Sequence, residues 1–133
     1  MTVTNLSEQP QDILTLRGIQ RRAHAIARTS GWWDEYDAMP EQYRKHFIAG
    51  KIALMHSELS EGLEGYRKNK MDDHLPHRTM LEVEFADTII RILDQAEQFG
   101  FDVEGAVLEK MAYNEIRPDH KREARSSSDG KKL

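Results

Sequence analysis

Residues 40–68 read PEQYRKHFIAGKIALMHSELSEGLEGYRK, and this stretch carries one continuous helical pattern. Apolar side chains recur in it at spacings of three and four residues, which is the repeat of one face of an α-helix. This apolar stripe consists of Ile48, Ile52, Met55, Leu59, Leu63 and Tyr66. Because Pro40 suits the first turn of a helix, the pattern predicts a helix from Pro40 to about Lys68, which is long for a globular protein.

Three further helices are predicted around this one. The first covers about 11–29, the third about 79–98, and the fourth runs from near Asp102 to just before a proline. The segment GWWDEYDAMP at 31–40 reads as a loop or short turn because it combines aromatic residues with glycine and proline. There is no alternating strand pattern and no internal repeat. The sequence therefore predicts an all-α fold, a four-helix bundle.

The chain has 133 residues, about the length of one domain. We expect residues 1–10 to form an N-terminal extension and residues 11–121 to form the helical domain. The remainder, 122–133, is low in apolar residues and is expected to be a mobile basic and polar tail.

Composition excludes several classes of protein. The formal net charge is −4, with the basic excess confined to the last residues, so a large nucleic-acid surface is disfavoured. No apolar run is long enough to span a bilayer, and the first residues lack the pattern of a secretory signal, so we expect no membrane partner. The absence of cysteine excludes disulfides and thiolate sites and fits a cytoplasmic location.

Two pairs of carboxylates lie on successive predicted helices. Glu58 and Glu61 are three residues apart, and so are Glu84 and Asp87, which places each pair on one side of its helix. Apolar residues border the second pair on both sides, namely Leu81, Phe85 and Ile89 on one and Val83 and Ile90 on the other. Carboxylates held together in a partly buried site must protonate, pair with cations or bind a metal.

Four carboxylates suit a hard, oxygen-preferring ion such as Mg²⁺ or Mn²⁺. The alternative is a solvated helix surface, on which Asp87 pairs with Arg91 four residues further on. Such surfaces are the usual setting of an isolated pair of carboxylates. Two pairs on successive helices leave both interpretations open.

Two further features bear on ligand binding. A cationic and amide row on the fourth helix either solubilises a surface or, beside an acidic metal site, holds phosphates; it consists of Lys110, Asn114, Arg117 and Lys121. Trp32 and Trp33 are adjacent and cannot easily share one core pocket. One of the two indoles is therefore expected to pack inward, while the other is free to stack on a nucleobase.

Taken together, these motifs resemble the MazG-like, all-α nucleoside triphosphate pyrophosphohydrolases. The resemblance rests on Glu58-Leu-Ser-Glu61 followed after 22 residues by Glu84-Phe-Ala-Asp87, on Gly31-Trp32-Trp33-Asp34, and on Lys110-Met111-Ala112-Tyr113-Asn114 with Arg117-Pro118. It covers roughly residues 15–121 and is nearest to the small single-domain members found often in phages and mobile elements. The chain departs from the family after Pro118, where Asp119-His120-Lys121-Arg122 stands in place of a His-Gly-Lys segment.

The resemblance implies hydrolysis of a (d)NTP between its α and β phosphates, giving a (d)NMP and pyrophosphate, with a metal-activated water as nucleophile. Glu58, Glu61, Glu84 and Asp87 would ligate Mg²⁺, for which Mn²⁺ could substitute, and Glu58 or Glu61 would accept the proton of the water. The implied phosphate ligands are Lys110, Asn114, Arg117, Lys121 and Lys51, and the implied base ligand is Trp32 or Trp33. Family members assemble as homodimers or homotetramers with shared active sites, in the cytoplasm of the host where a phage encodes them.

Two other hypotheses about the function compete with this one. A non-enzymatic helical interaction or regulatory protein would use the same charges for solubility alone. A di-iron carboxylate bundle needs Glu-x-x-His pairs, and none of the six histidines lies three residues after a glutamate, so we set it aside. The sequence does not reveal which base is selected, and dGTP and dCTP are the candidate substrates. The candidate biological roles are nucleotide housecleaning, control of the nucleotide pool and supply of a monophosphate to a modified-base pathway.

Overall fold

All regular structure in the computed structural model, which describes residues 14–117, 119 and 122–126, is helical. Within these ranges the helices are α1 (Leu16–Thr29), α2 (Asp34–Ala38), α3 (Glu41–Arg67), α4 (Met80–Gln98), α5 (Val103–Ile116) and α6 (Arg122–Ser126). The described residues form no strand, only an isolated bridge between Met71 and Thr79. The prediction of an all-α chain is therefore confirmed.

Three of the long helices begin where a side chain caps them, whereas α3 begins after Pro40 with no side-chain cap. The hydroxyl of Thr15 accepts from the amide of Gly18 at the start of α1, and the hydroxyl of Thr79 accepts from the amide of Glu82 at the start of α4. The carboxylate of Asp102 serves α5 in the same way. The predicted boundaries of α3, α4 and α5 agree with the structure to within about a residue. For α1 the predicted start at Gln11 lies outside the described residues.

The segment at 31–40 differs from its prediction as a loop or short turn, because it contains the five-residue helix α2. Asp34, Glu35 and Asp37 all lie in the first turn of this helix, where the partial positive charge of a helix N-terminus favours carboxylates. Gly31, with φ of +79°, ends the α1 region in the left-handed conformation that glycine adopts readily. The aromatic pair therefore lies on a tight turn between two helices.

Helix α4 packs against both α1 and α3 and is therefore central among these three helices. Two glycines of α3 allow its close approach: a Cβ at Gly62 would lie 3.2 Å from Glu84 Cβ, and a Cβ at Gly65 would lie 2.7 Å from Met80 Cβ. The small buried core contains Ala23, Ala27, Trp33, Leu93 and Ala96. The alanines of α1 thus pair with α4, while the glycines of α3 bring that helix's backbone close on another side.

The chain divides into two compact units, one ending at Phe101 and one beginning at Asp102. Helices α1 to α4 belong to the first unit, and α5 and α6 belong to the second. The predicted helical domain at 11–121 therefore extends over both units, and the predicted tail includes α6. The predicted extension at 1–10 lies outside the described residues. None of the described helices combines the length and apolar character that crossing a membrane requires.

One face of α4 leaves large apolar side chains uncovered. Phe85 is 51% exposed and Ile89 is 48% exposed. Together with Leu81 and Thr79 they line a shallow apolar depression of about 390 Å³. On α3, Leu59 and several other large side chains of the apolar stripe are also exposed. Apolar surface of this extent on a single chain commonly marks a contact with another chain.

Candidate metal centre and adjoining groove

Three of the four predicted carboxylates meet where α3 and α4 approach each other. Glu58 on α3 and Glu84 and Asp87 on α4 each offer a carboxylate oxygen, and these oxygens all lie within 4.8 Å of one another. Glu58 and Glu84 are buried and Asp87 is half-buried. The close helix approach at Gly62 therefore positions an acidic triad, the name used below for these three residues.

The carboxylates of the acidic triad are buried or half-buried and lie close together, so each one disfavours ionisation of the others. The pKa of Glu84 is raised to about 7, first by burial and then by the adjacent carboxyl group of Glu58 and the charges of Glu61 and Asp87. Burial also raises the pKa of Asp87, although Arg91 opposes the shift. Glu84 Oε2 is fully enclosed and has no hydrogen-bond partner among the described residues. An enclosed, unpaired carboxylate oxygen beside two other carboxylates is the setting in which a cation stabilises the site most.

Arg91 supplies the triad with one counter-charge from within the chain. Its Nε donates a hydrogen bond to Glu58 Oε1 at 2.6 Å, and both side chains are largely buried. The sequence-based alternative paired Arg91 with Asp87 on its own helix, but the described ion pair is to Glu58 on α3. The guanidinium thus joins the two helices and leaves Glu84 and Asp87 without an ion pair among the described residues.

Glu61, the fourth predicted ligand, lies apart from the triad. Its side chain is exposed, and it is not among the carboxylates whose oxygens cluster. It is near enough for its charge to raise the pKa of Glu84. Glu61 is therefore a neighbour of the acidic centre that remains open to solvent.

A groove of about 290 Å³ lies between α1, α3 and α4, and Arg91, the partner of Glu58, forms part of its wall. Lys51, Met55 and Glu58 follow one another at i, i+4 and i+7 on α3, and Asp87, Arg91 and Asp94 do the same on α4. The two rows run in opposite directions, because Glu58 pairs with Arg91 while the charge of Lys51 acts on Asp94. The two rows thus line a channel in which Arg91 lies between the acidic triad and Asp94, and Lys51 lies near both Arg91 and Asp94.

Lys51 lies in this channel and forms no ion pair with another described residue. Its Nζ lies 4.3 Å from the centroid of the Trp33 ring, a cation–π distance. Burial lowers the pKa of Lys51, with Asp94 opposing the shift and Arg91 adding to it. A partly buried ammonium that lacks a carboxylate partner is suited to an anionic ligand group.

The two tryptophans occupy different environments. Trp33 is 0% exposed and its indole Nε1 donates to Asp94 Oδ1 at 2.9 Å. Trp32 is 55% exposed and lines the groove together with Lys51 and Arg91. Of the two candidate base ligands, Trp32 is thus the one whose ring is available to a ligand in the groove.

Asp94 is held by a buried network at the far end of the α4 row. In addition to Trp33, His24 Nδ1 lies 2.8 Å from Asp94 Oδ1. Arg28 Nε donates to His24 Nε2 at 3.4 Å, so the ring proton sits on Nδ1 and points at the carboxylate. This network fixes the orientation of the Asp94 side chain.

The predicted phosphate ligands of the fourth helix belong to the second unit. Lys110 and Asn114 lie on α5 and Arg117 follows its last residue, while Lys121 lies outside the described residues. Lys110 Nζ lies 4.6 Å from the centroid of the Tyr113 ring, and Arg117 forms an ion pair with Asp119. The acidic triad belongs to the other compact unit, so a role of this row at the triad stays a prediction.

Sequence reasoning gave no functional role to Arg91 or Asp94. The signal that points to them is their spacing from Asp87, which puts all three on one side of α4. What that side faces depends on how closely α3 and α1 approach, and periodicity does not supply this. Comparison with family models, with curated proteins and with solved structures found no match to this chain.

Proposed function

We propose that this protein is a Mg²⁺-dependent nucleoside triphosphate pyrophosphohydrolase of the MazG-like type. The proposed reaction cleaves the α–β phosphoanhydride of a (d)NTP and releases a (d)NMP and pyrophosphate. The observation that carries the proposal is that Arg91, which forms an ion pair with Glu58 of the acidic triad, also lines a groove together with Lys51. Carboxylates for a cation, cations for phosphates and an aromatic lining follow one another along this surface.

The donor set fits a hard divalent cation. Glu58, Glu84 and Asp87 offer only oxygen ligands, and the enclosed Glu84 Oε2 lacks any other partner. When bound, Mg²⁺ or Mn²⁺ would supply Lewis acidity for a water and for the charge that develops on phosphate oxygens. Glu84 and Asp87, whose pKa values burial raises, would give up any bound proton as the cation enters.

The remaining residues have separate proposed roles. Glu61 is an exposed carboxylate beside the triad and has no ion pair among the described residues, so it is the better placed base for the attacking water. Lys51 and Arg91 neutralise phosphate oxygens in the middle of the channel. Trp32 stacks on the base. The phosphate-binding role that the resemblance implies for Lys110, Asn114, Arg117 and Lys121 stays a prediction.

We also propose that the chain works as a homodimer or homotetramer, which completes a helical bundle. The exposed apolar face of α4 around Phe85 and Ile89 supports this. An interface there would remove Phe85 and Ile89 from water, at roughly 25 cal/mol for each Å² of apolar surface.

The function is tested by incubating the purified protein with Mg²⁺ and a panel of canonical and modified (d)NTPs. The separation of products must distinguish monophosphate plus pyrophosphate from diphosphate plus phosphate. We expect the first pair of products, and we expect Glu61→Gln and Asp87→Asn to lose most turnover while retaining parental circular dichroism. Full activity in Asp87→Asn would show that the acidic triad is not the metal site of the enzyme.

The second candidate is a non-enzymatic helical interaction protein, and the exposed apolar surface of α3 and α4 favours it. Such a protein has no need of a nucleotide. Titration calorimetry discriminates the two, because only the enzyme gives a heat of nucleotide binding that requires Mg²⁺. An absence of that heat, and of turnover with both Mg²⁺ and Mn²⁺, would favour the interaction protein.

A further inference from the structure

The wall of the groove contains a carboxylate oxygen that no described residue uses. Asp94 lines the groove, and its side chain is only 7% exposed. Trp33 and His24 both donate to Oδ1, and neither bond involves Oδ2. Oδ2 is not one of the fully enclosed unpaired oxygens of the described residues, so it stays reachable. A nearly buried carboxylate with an open oxygen is stabilised when a ligand brings a donor to it.

The surroundings of Asp94 restrict the shape of that ligand. The nearby wall is mostly apolar and consists of Ile19, Ala23, Ile26, Ala27, Met55 and Ile90, with Arg22 and Trp32 beside them. Walls of this kind accommodate an aromatic ring, while the open oxygen of Asp94 requires an N–H or O–H donor on its edge. A heterocycle with a donor group on its rim meets both conditions.

The position of Asp94 relative to the acidic triad fits the length of a nucleotide. Asp94 lies seven residues after Asp87 on the same side of α4, which is about 10 Å along the helix axis. Arg91 lies between them, and Lys51 faces the same channel from α3. A nucleotide with its phosphates at the carboxylate and cationic end would therefore bring its base to Asp94.

We propose that Asp94 is the specificity-determining residue of the groove and selects nucleotides whose base carries an exocyclic amino group. This rests on the proposed function in so far as the ligand is a nucleotide. The amino group of cytosine, adenine or guanine donates to Asp94 Oδ2. Uracil presents a carbonyl oxygen where cytosine has its amino group, so two acceptors would meet. Hypoxanthine lacks the amino group of guanine and so offers Oδ2 one donor fewer.

The test compares ligand pairs that differ in this group, CMP against UMP and GMP against IMP, by titration calorimetry of the unaltered protein with Mg²⁺. Monophosphates have no α–β anhydride, so the measurement does not depend on turnover. We expect the amino-bearing member of at least one pair to bind at least about tenfold more tightly. Equal affinities within both pairs, a preference for UMP and IMP, or no binding of any of the four would overturn the proposal.

A variant separates specificity from a structural role. Asp94→Asn retains the shape and an oxygen for Trp33, while the amide nitrogen replaces the open acceptor with a donor. We expect the CMP to UMP affinity ratio to fall to about one or below. Trp33→Phe is the control, because it removes a bond to Oδ1 and leaves Oδ2 unchanged. A merely structural Asp94 would weaken both members of a pair alike in both variants.

The binding test of Asp94 and the product test of the proposed enzyme can fail independently of each other. Pyrophosphate release without an amino preference in binding would remove Asp94 as the selecting residue and keep the enzyme. An amino preference without release would keep Asp94 and remove the enzyme. If Asp94→Asn fails to fold, the monophosphate pairs on the unaltered protein decide.

Discussion

At the scale of single residues, burial and charge conflict most directly at the carboxyl group of Glu84. Its pKa rises from an ordinary value of 4.5 to about 7, first because it is buried and then because Glu58, Glu61 and Asp87 surround it. The folded protein therefore holds this proton longer than the unfolded chain does. The contribution of Glu84 to stability is present below pH 4.5 and is lost as the pH rises through about 7.

The first prediction follows from that sign. Glu84→Gln, which carries no ionisable proton, should raise the metal-free melting temperature at pH 8 by roughly 3–8 °C and change it little at pH 5. Thermal unfolding followed by circular dichroism in the presence of a chelator measures both values. Glu109→Gln, at an exposed position on α5, is the matched control and should show no such pH dependence.

The second prediction separates two carboxylates that the sequence treats alike. Asp87→Asn should weaken Mn²⁺ binding at least about tenfold because it removes a charged ligand, whereas Glu61→Gln should retain most of that affinity because Glu61 lies outside the triad. Titration of each variant with Mn²⁺, followed by electron paramagnetic resonance of the free ion, gives the affinities. Equal losses in the two variants would contradict the distinction.

At the scale of elements, the acidic triad depends on how closely α3 approaches α4. A Cβ at Gly65 would lie 2.7 Å from Met80 Cβ, while a Cβ at Gly50 on the same helix would meet nothing within 4 Å. The two glycines therefore differ in function although both lie inside α3. One permits contact between helices, and the other only lowers the helix propensity of its turn.

The third prediction uses this contrast. Gly65→Ala should destabilise the protein by about 1–3 kcal/mol, since the helices must move apart to admit the methyl group. Gly50→Ala should stabilise it by about 0.5–1 kcal/mol through helix propensity. Urea unfolding measures both. The same separation of helices should weaken Mn²⁺ binding in Gly65→Ala alone, and unchanged binding there would show that the triad tolerates a wider spacing.

Much of the secondary structure is predictable because it is written in local repeats. The stripe from Ile48 to Tyr66 predicts α3, and the capping residues Thr79 and Asp102 lie where α4 and α5 begin. The choice of Glu58 as the partner of Arg91 is not local, since it depends on the spacing that Gly62 and Gly65 permit. The sequence therefore indicates which carboxylates share a side of a helix and leaves open which of them meet across two helices.

At the scale of the whole molecule, the first unit covers α4 on the sides of α1 and α3 and leaves Phe85 and Ile89 open. Burial of these side chains between copies of the chain is the expected resolution. An assembly of that kind is a prediction about mass in solution and is independent of nucleotide chemistry.

The fourth prediction concerns that assembly. Ile89→Glu should shift the sedimentation coefficient from that of an oligomer to that of a single chain, because a charge would have to be buried in the interface. Lys45→Glu, at an exposed position on α3 that does not line this depression, is the control and should leave the mass unchanged. A parental protein that sediments as a monomer at all concentrations would exclude the oligomer.

The ion pair between Arg91 and Glu58 also sets an order of events for a newly made chain. Many small metal sites assemble only when the ion arrives, because their ligands repel one another until then. Here one ligand is already neutralised by a side chain, and the proton on Glu84 relieves another. We therefore expect the helices to pack together without an ion, so that a chain prepared free of metal is already folded before any ion is added.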